Sequence, residues 1–181
     1  MNWASVLPIQ RFGYAEAQFR SAIQKQIRSM TTLEKGDKAP NFSGSIETGE
    51  RVQLSDYAGK KLVLYFYPKD DTPTCTTEAC NLRDNYGALQ TQGYEILGVS
   101  PDTVDKHQKF VTKYDLPFHL LADTEQETAK AYGVWGRKKF MGREYDGIHR
   151  TTFVINEKGT IEAVIKKVKA KAHADQITDA V

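Results

Sequence analysis

Short apolar runs alternate with amphipathic segments along most of this chain, and that alternation limits the folds that the chain can adopt. The runs KLVLYFYP at residues 61–68 and YEILGVSP at residues 94–101 are almost continuously apolar, β-branched or aromatic. Runs of this length and composition predict central strands that are covered on both faces. Apolar residues at helical spacing predict one helix over residues 74–92 and another over residues 102–114, with Asp102 as the cap of the second.

The remaining apolar runs predict further strands. FHLLAD at residues 118–123 is a short strand, and RTTFVIN (150–156) and TIEAVIKKV (160–168) flank the turn Glu157-Lys158-Gly159 as a β-hairpin does. The order of strands and helices is then βαβαβαββ. This order predicts an α/β fold in which helices flank a mixed central sheet.

Between residues 124 and 149 the pattern is weaker. Thr124 and Glu127 stand at the spacing of a capping box, which predicts a short helix that ends at Gly133. We expect a long loop between this helix and the strand at residues 150–156.

Composition and charge exclude several classes of function. The formal net charge of the 181 residues is +2, too small to indicate nucleic-acid binding, and we interpret KKVKAK at residues 166–171 as a solvated face. No apolar stretch approaches the roughly 20 residues that cross a bilayer. The two cysteines are too few for a disulfide scaffold, so we expect a reducing compartment and a cytoplasmic protein.

The first 29 residues differ from the rest. They contain a single acidic residue, Glu16, and Phe19, Ile23 and Ile27 recur at a spacing that predicts an amphipathic helix over residues 14–28. Such a segment is typical of organelle targeting. We favour the alternative that residues 1–29 are an extension preceding a domain at residues 30–181.

The only two cysteines, Cys75 and Cys80, lie just after the predicted strand at residues 61–68. A polar loop and then the start of a helix follow that strand, so Cys75 is expected in the first turn of the helix. Unpaired backbone N–H groups and the positive end of the helix dipole favour a thiolate at that position. Cys75 is therefore a candidate nucleophile.

Three alternatives use the two thiols differently. A zinc site needs three or four ligands, and the four histidines, which we interpret as surface or loop residues, show no ligand spacing. A permanent disulfide is disfavoured, because residues five apart in an α-helix have Cα atoms about 8.7 Å apart, whereas disulfides need about 4.4–6.8 Å. A thioredoxin-type reductase uses a CxxC motif, from which the spacing of Cys75 and Cys80 departs.

Two segments resemble the peroxiredoxins, and more narrowly the bacterioferritin comigratory protein or peroxiredoxin Q subfamily. YFYPKDDTPTCTTEACNLRDNY contains the peroxiredoxin pattern PxxxTxxC at Pro68, Thr72 and Cys75, and the subfamily's second cysteine at Cys80. YGVWGRKKFMGREYDGIHRTTFVI resembles the loop and strand that carry the active-site arginine, here Arg150. The resemblance extends over residues 35–168. One departure is a threonine where the subfamily usually has glycine, in TPTC rather than TPGC.

The resemblance implies a thioredoxin-like fold and a peroxidase that reduces hydrogen peroxide and organic hydroperoxides. Cys75 would be the peroxidatic cysteine and would become a sulfenic acid. Thr72 would hydrogen-bond the peroxide, Arg150 would hold the thiolate and the developing charge, and Pro68 would shield the sulfur. Glu78 is expected to orient the arginine.

The resemblance also implies how the enzyme is regenerated. Cys80 would resolve the sulfenic acid of Cys75 as an intramolecular disulfide once the helix unwinds locally, and thioredoxin or a similar dithiol protein would reduce that disulfide. No metal or organic cofactor is implied, and the subfamily is often monomeric. A redox sensor and a thioredoxin-like disulfide reductase are the alternative functions.

Overall fold

A computed structural model describes residues 31–181 of the chain. The strands are β1 (Ser43–Ser45), β2 (Arg51–Gln53), β3 (Lys61–Phe66), β4 (Tyr94–Ser100), β5 (His119–Ala122), β6 (Trp135–Phe140), β7 (Arg143–Ile148), β8 (Thr151–Ile155) and β9 (Ile161–Ile165). The helices are α1 (Pro73–Asp84), α2 (Tyr86–Thr91), α3 (Val104–Tyr114), α4 (Glu127–Ala131) and α5 (His173–Asp179). Short 3₁₀ helices occupy Leu54–Tyr57 and Ala170–Ala172.

The central sheet has five strands in the order β5-β4-β3-β8-β9. Strand β4 is parallel to both β3 and β5, whereas β8 is antiparallel to both β3 and β9. The predicted mixed sheet, the strands at its centre and the β8–β9 hairpin are therefore confirmed.

Alternate residues of β3 pack on opposite faces of the sheet. Val63 and Tyr65 belong to the apolar cluster beneath α1, α2, α3 and α5, whereas Leu64 and Phe66 belong to the cluster on the opposite face, which includes α4. All of them are buried. Because both faces are covered, the strand reads in sequence as a continuous apolar run.

Two of the predicted helices differ from those in the structure. The helix expected over residues 74–92 is interrupted at Asn85, whose φ of −108° and ψ of 5° end α1 and precede α2. Thr103, not Asp102, is the residue before α3. Asp102 is buried, and its carboxylate accepts hydrogen bonds from the backbone N–H of Asp70 and from the Ser100 hydroxyl.

The region before β8 also differs from the prediction. The capping box of Thr124 and Glu127 is absent, and the Asp123 carboxylate instead accepts hydrogen bonds from the backbone N–H groups of Thr128 and Ala129 in α4. The expected long loop is the β6–β7 hairpin. The predictions for residues 1–29 lie outside the described residues.

Candidate active site

The strand pairing explains how residues 75 apart in sequence meet. Strand β3 ends at Phe66, and a loop then leads into α1, which carries Cys75. Strand β8 pairs antiparallel with β3, so Thr151 lies opposite Phe66 at the same edge of the sheet. Arg150, which directly precedes β8, therefore lies beside the first turn of α1.

Cys75 is the third residue of α1, and its side chain is almost completely buried, with 2% of the residue exposed. The Arg150 guanidinium donates a hydrogen bond from Nη2 to Cys75 Sγ across 3.1 Å. A guanidinium has only donors, so the sulfur is the acceptor in this contact. The sulfur therefore lies as an acceptor beside a positive charge, at a helix N-terminus.

The other arm of Arg150 binds Glu78, one turn further along α1. Arg150 Nη1 donates to Glu78 Oε2, and the Glu78 carboxylate is completely buried. The ion pair fixes the plane of the guanidinium, and this leaves Nη2 directed at the sulfur. The structure thus brings together Cys75, Glu78 and Arg150, three of the residues that the sequence singles out.

Thr72 and Pro68 lie in the loop between β3 and α1. Thr72 immediately precedes α1, and its hydroxyl donates to the backbone carbonyl of Lys69 across 3.1 Å. Pro68 is half-buried just after the end of β3. Within residues 31–181, no hydrogen bond joins the Thr72 hydroxyl to Cys75 Sγ.

Cys80 lies on α1 as predicted, and both thiols are free. It is half-buried, whereas Cys75 is buried. The next residue, Asn81, ties this part of α1 to the C-terminal segment: it donates to the Lys171 carbonyl and accepts from the backbone N–H of Ala174. Cys80 therefore lies where α1 packs on residues 170–179.

Two histidines that we interpreted as surface or loop residues are completely buried, so that interpretation was wrong for them. His107 lies 2.7 Å from Asp70 and 3.1 Å from the Leu121 carbonyl. His173 begins α5 and lies 2.9 Å from the Thr152 hydroxyl. Neither position has a local signal in the sequence, because each contact depends on how a helix packs on a distant strand or loop.

A lysine of the β6–β7 hairpin also approaches the site. Lys138 Nζ donates to the Ile148 carbonyl across 2.9 Å. Burial lowers the pKa of Lys138, while the charge of the nearby Cys75 thiolate acts in the opposite direction. Burial and the charge of Lys138 likewise lower the pKa of His149. Both side chains therefore release their protons more readily here than in water.

Two other kinds of site have no counterpart in the described part of the chain. Residues 31–181 contain no group of three or more histidine, cysteine, aspartate or glutamate side chains arranged to hold a metal ion. No helix among the same residues is long and apolar enough to span a membrane.

Comparisons with known proteins agree with this geometry. Residues 35–164 match the AhpC/TSA family. Peroxiredoxin Bcp of Bacillus subtilis is 51% identical over 142 residues, which are 78% of this chain and 90% of that protein. Two solved structures from Xanthomonas campestris, one of peroxiredoxin Q and one of the bacterioferritin comigratory protein, are each 34% identical with a TM-score of 0.74. Each covers 83% of this chain, and the matches span 95% and 96% of those chains.

The fold, the arginine-bound thiol and these relatives together define a thiol-dependent peroxidase, an oxidoreductase. The chain belongs to the AhpC/TSA family, and its relatives there are peroxiredoxins of the Bcp or peroxiredoxin Q type. The resemblance inferred from the sequence is therefore confirmed, as is the thioredoxin-like fold that it implies.

Proposed function

We propose that Cys75 is the peroxidatic residue of this enzyme. The observation that carries the proposal is the 3.1 Å hydrogen bond from Arg150 Nη2 to a sulfur that is 2% exposed. The thiolate attacks one oxygen of the peroxide and the O–O bond breaks. Cys75 becomes a sulfenic acid, and the other oxygen leaves as alkoxide or hydroxide and is protonated to an alcohol or water.

Arg150 stabilises charge at both ends of this step. Its Nη2 donor neutralises the thiolate before the reaction and can follow the negative charge as it moves to the leaving oxygen. Thr72, three residues before Cys75, supplies a hydroxyl to orient the peroxide once its bond to the Lys69 carbonyl is exchanged. Pro68 shields the sulfur, and Glu78 holds the guanidinium in place.

Cys80 then resolves the sulfenic acid. Its thiol attacks the Cys75 sulfur, the Cys75–Cys80 disulfide forms and water leaves. Both residues lie on the continuous helix α1, where residues five apart are too distant for a disulfide, so α1 must unwind locally. A dithiol protein such as thioredoxin then reduces the disulfide and becomes oxidised itself.

The substrates follow from the same chemistry. We propose hydrogen peroxide and alkyl hydroperoxides, and the bacterioferritin comigratory protein of Xanthomonas campestris has been described in terms of its alkyl peroxide reduction activity. We further propose that the enzyme acts as a monomer in the reducing cytoplasm, in antioxidant defence. Residues 30–181 would form the catalytic domain, and residues 1–29 an extension to it.

The test is peroxide consumption coupled to thioredoxin in the full chain and in two single variants. Cys75→Ser is expected to abolish turnover, because the nucleophile is lost. Cys80→Ser is expected to consume one equivalent of peroxide, accumulate sulfenic acid and turn over only with small external thiols.

The paired variants also show how the proposal fails. Thioredoxin-coupled turnover by Cys75→Ser would show that another group is the nucleophile. Full turnover with thioredoxin by Cys80→Ser would show that Cys80 is not the resolving thiol. Trapping the sulfenic acid with a dimedone-type reagent and locating it by mass spectrometry assigns the oxidised residue directly.

A further inference from the structure

Two buried polar atoms face each other behind the Arg150–Glu78 ion pair. Glu78 Oε1 and His173 Nδ1 are 3.1 Å apart, and both side chains are completely inaccessible to solvent. The approach is off the ideal hydrogen-bond direction, and neither atom has a hydrogen-bond partner within residues 31–181. A buried polar atom without a partner is costly, so these two atoms are each other's available partners.

The chemistry of the neighbours decides which nitrogen of His173 carries the proton. Burial and the nearby Arg150 guanidinium lower the pKa of His173 from its ordinary value of 6.5 to about 4, so the ring is neutral at pH 7. The Glu78 carboxylate is paired with Arg150. A carboxylate only accepts, so Nδ1 carries the hydrogen, and Nε2 accepts from the Thr152 hydroxyl 2.9 Å away.

The arrangement matters because Arg150 has two possible ways to bind Glu78. Arginine and carboxylate groups prefer a bidentate pair, in which two N–H groups face the two oxygens. Here Arg150 uses only Nη1 on Oε2 and keeps Nη2 for Cys75 Sγ. His173 stands against the second oxygen, where a second arm of the guanidinium would otherwise bind.

We propose that His173 is a positioning residue of the peroxidase: by occupying Glu78 Oε1 it prevents a bidentate Arg150–Glu78 pair and so keeps one guanidinium arm on the Cys75 sulfur. The proposal rests on the function proposed above for Cys75 and Arg150. It connects α5, which His173 begins, with the reactive thiol through Glu78 and Arg150. His173 does not touch the sulfur or the substrate.

The charged and titratable groups around this cluster come from several elements. Arg150 precedes β8, Glu78 and Cys80 lie on α1, and Lys138 lies on β6, where burial lowers its pKa and the charge of Cys75 acts in the opposite direction. The Tyr65 ring of β3 meets the His173 ring edge to face, with centroids 6.2 Å apart. Burial raises the pKa of Tyr65 well above 10, so it stays neutral throughout the pH range of the experiment.

The test compares three variants of the full chain. His173→Leu removes the donor to Glu78, His173→Asn keeps an N–H near the position of Nδ1, and Ile177→Val loosens the packing of α5 at another buried position without touching Glu78. The readouts are the pH midpoint of the ultraviolet thiolate absorbance of Cys75, measured in a Cys80→Ser background, and the single-turnover rate with hydrogen peroxide at pH 7.

In His173→Leu the thiolate midpoint is expected to move to higher pH and the rate at pH 7 to fall about tenfold. This is less than the roughly 10²–10³-fold loss that follows complete removal of a transition-state donor, because the guanidinium remains nearby. His173→Asn is expected to stay closer to the parent than His173→Leu. Ile177→Val is expected to leave both readouts unchanged while lowering the urea concentration at the midpoint of unfolding.

Several outcomes would overturn the proposal. A folded His173→Leu variant with the parent's midpoint and rate would do so, and so would an equal change in Ile177→Val, since α5 packing alone would then explain the effect. If His173→Leu does not fold, nitrogen NMR of the parent decides, and a hydrogen on Nε2 instead of Nδ1 contradicts the proposal. Retained peroxidase activity in Cys75→Ser, measured in parallel, would instead refute the proposed function itself.

Discussion

The two thiols of α1 are five residues apart but lie in contrasting surroundings. Cys75 is buried at the N-terminal turn with a guanidinium 3.1 Å from its sulfur. Cys80 is half-buried in the helix interior, and within residues 31–181 its sulfur has neither a hydrogen bond nor an ion pair. In the proposed function, Cys75 is thus arranged to react with peroxide before any substrate arrives, whereas Cys80 is not.

This difference extends to the contacts that hold successive turns of α1 in place. The contacts of Glu78 hold the first turns of α1 against Arg150 and His173, beside Cys75. The contacts of Asn81 hold the next turn against the C-terminal segment, so they oppose the unwinding that the proposed Cys75–Cys80 disulfide requires. Under the proposed function, the folded helix favours the peroxide step, and the unwound helix favours disulfide formation. Substitutions that act on one state alone separate the two.

The largest expected effect comes from Arg150→Lys. A lysine keeps the positive charge beside Glu78, but a single ammonium cannot hold the carboxylate and the sulfur in the geometry of a guanidinium fork. We expect the second-order rate of peroxide reduction to fall about 100-fold, with resolution by Cys80 much less affected. Stopped-flow measurement of each step checks this.

Arg137→Lys is the matched control, because Arg137 pairs with Glu144 and Asp146 on the exposed β6–β7 hairpin. Its peroxide rate is expected to equal that of the parent. A rate for Arg150→Lys within twofold of the parent would mean that the contact with Cys75 Sγ contributes little.

The pH dependence of stability probes the Glu78 side of the comparison. The pKa of His173 is lowered from 6.5 to about 4 by burial and by Arg150, so the unfolded chain takes up a proton below pH 6.5 that the folded chain takes up only near pH 4. The contribution of neutral His173 to the free energy of unfolding is therefore fully present above pH 6.5 and is lost as the pH falls to about 4. The loss from this group is up to about 3 kcal/mol.

Urea unfolding at a series of pH values measures this pH-dependent contribution, and His173→Asn is expected to remove it. His119 is a useful contrast, because its hydrogen bond to Glu47 raises its pKa. Its contribution is present at low pH and is lost as the pH rises, so His119→Asn should alter the profile in the opposite direction. A parent profile that His173→Asn leaves unchanged between pH 6.5 and 4 would contradict the assignment.

Asn81→Ala tests the other half of the comparison. It removes two hydrogen bonds to residues 171 and 174, each worth about 1 kcal/mol, which the unwound helix does not make. We expect Cys75–Cys80 disulfide formation to become about three- to tenfold faster while the peroxide step is unchanged. Time-resolved tryptophan fluorescence and quenched-flow mass spectrometry follow the two steps.

Thr178→Ala is the control, since among residues 31–181 the Thr178 hydroxyl bonds only to carbonyls of α5, at residues 174 and 175. It removes side-chain hydrogen bonds within the same helix without releasing α1. Equal acceleration in both variants would show that general loosening of the C-terminal segment, not its link to α1, sets the rate.

Much of the fold could be predicted because the central strands are buried on both faces. The runs that became β3 and β4 are apolar along their whole length, so no tertiary information was needed to find them. The β6–β7 hairpin was missed because WGRKKF and REYDGI are mostly polar. Its turn at Met141 and Gly142, both with positive φ, is the one local signal that could have indicated it.

The candidate site likewise contains residues that the sequence predicts and one that it does not. Cys75, Glu78 and Arg150 stand in recognisable motifs, and the structure brings them together. His173 stands in no motif, because its place beside Glu78 depends on α5 packing across α1 and on Thr152 from β8. Contacts that three elements create jointly leave no periodic pattern in any one of them.

The smallest expected effect concerns Thr74, which replaces the usual glycine of the subfamily and could either restrict access to the sulfur or stabilise the helix. The structure places Thr74 in the first turn of α1 with its side chain exposed, which favours the second explanation.

Glycine is a poorer helix former than threonine by about 0.5 kcal/mol, and alanine is a better one. We expect Thr74→Gly to speed disulfide formation about twofold and Thr74→Ala to slow it by a similar factor, with the peroxide step constant. If both variants instead speed the peroxide step, the threonine acts by blocking access, because both substitutions shorten the side chain.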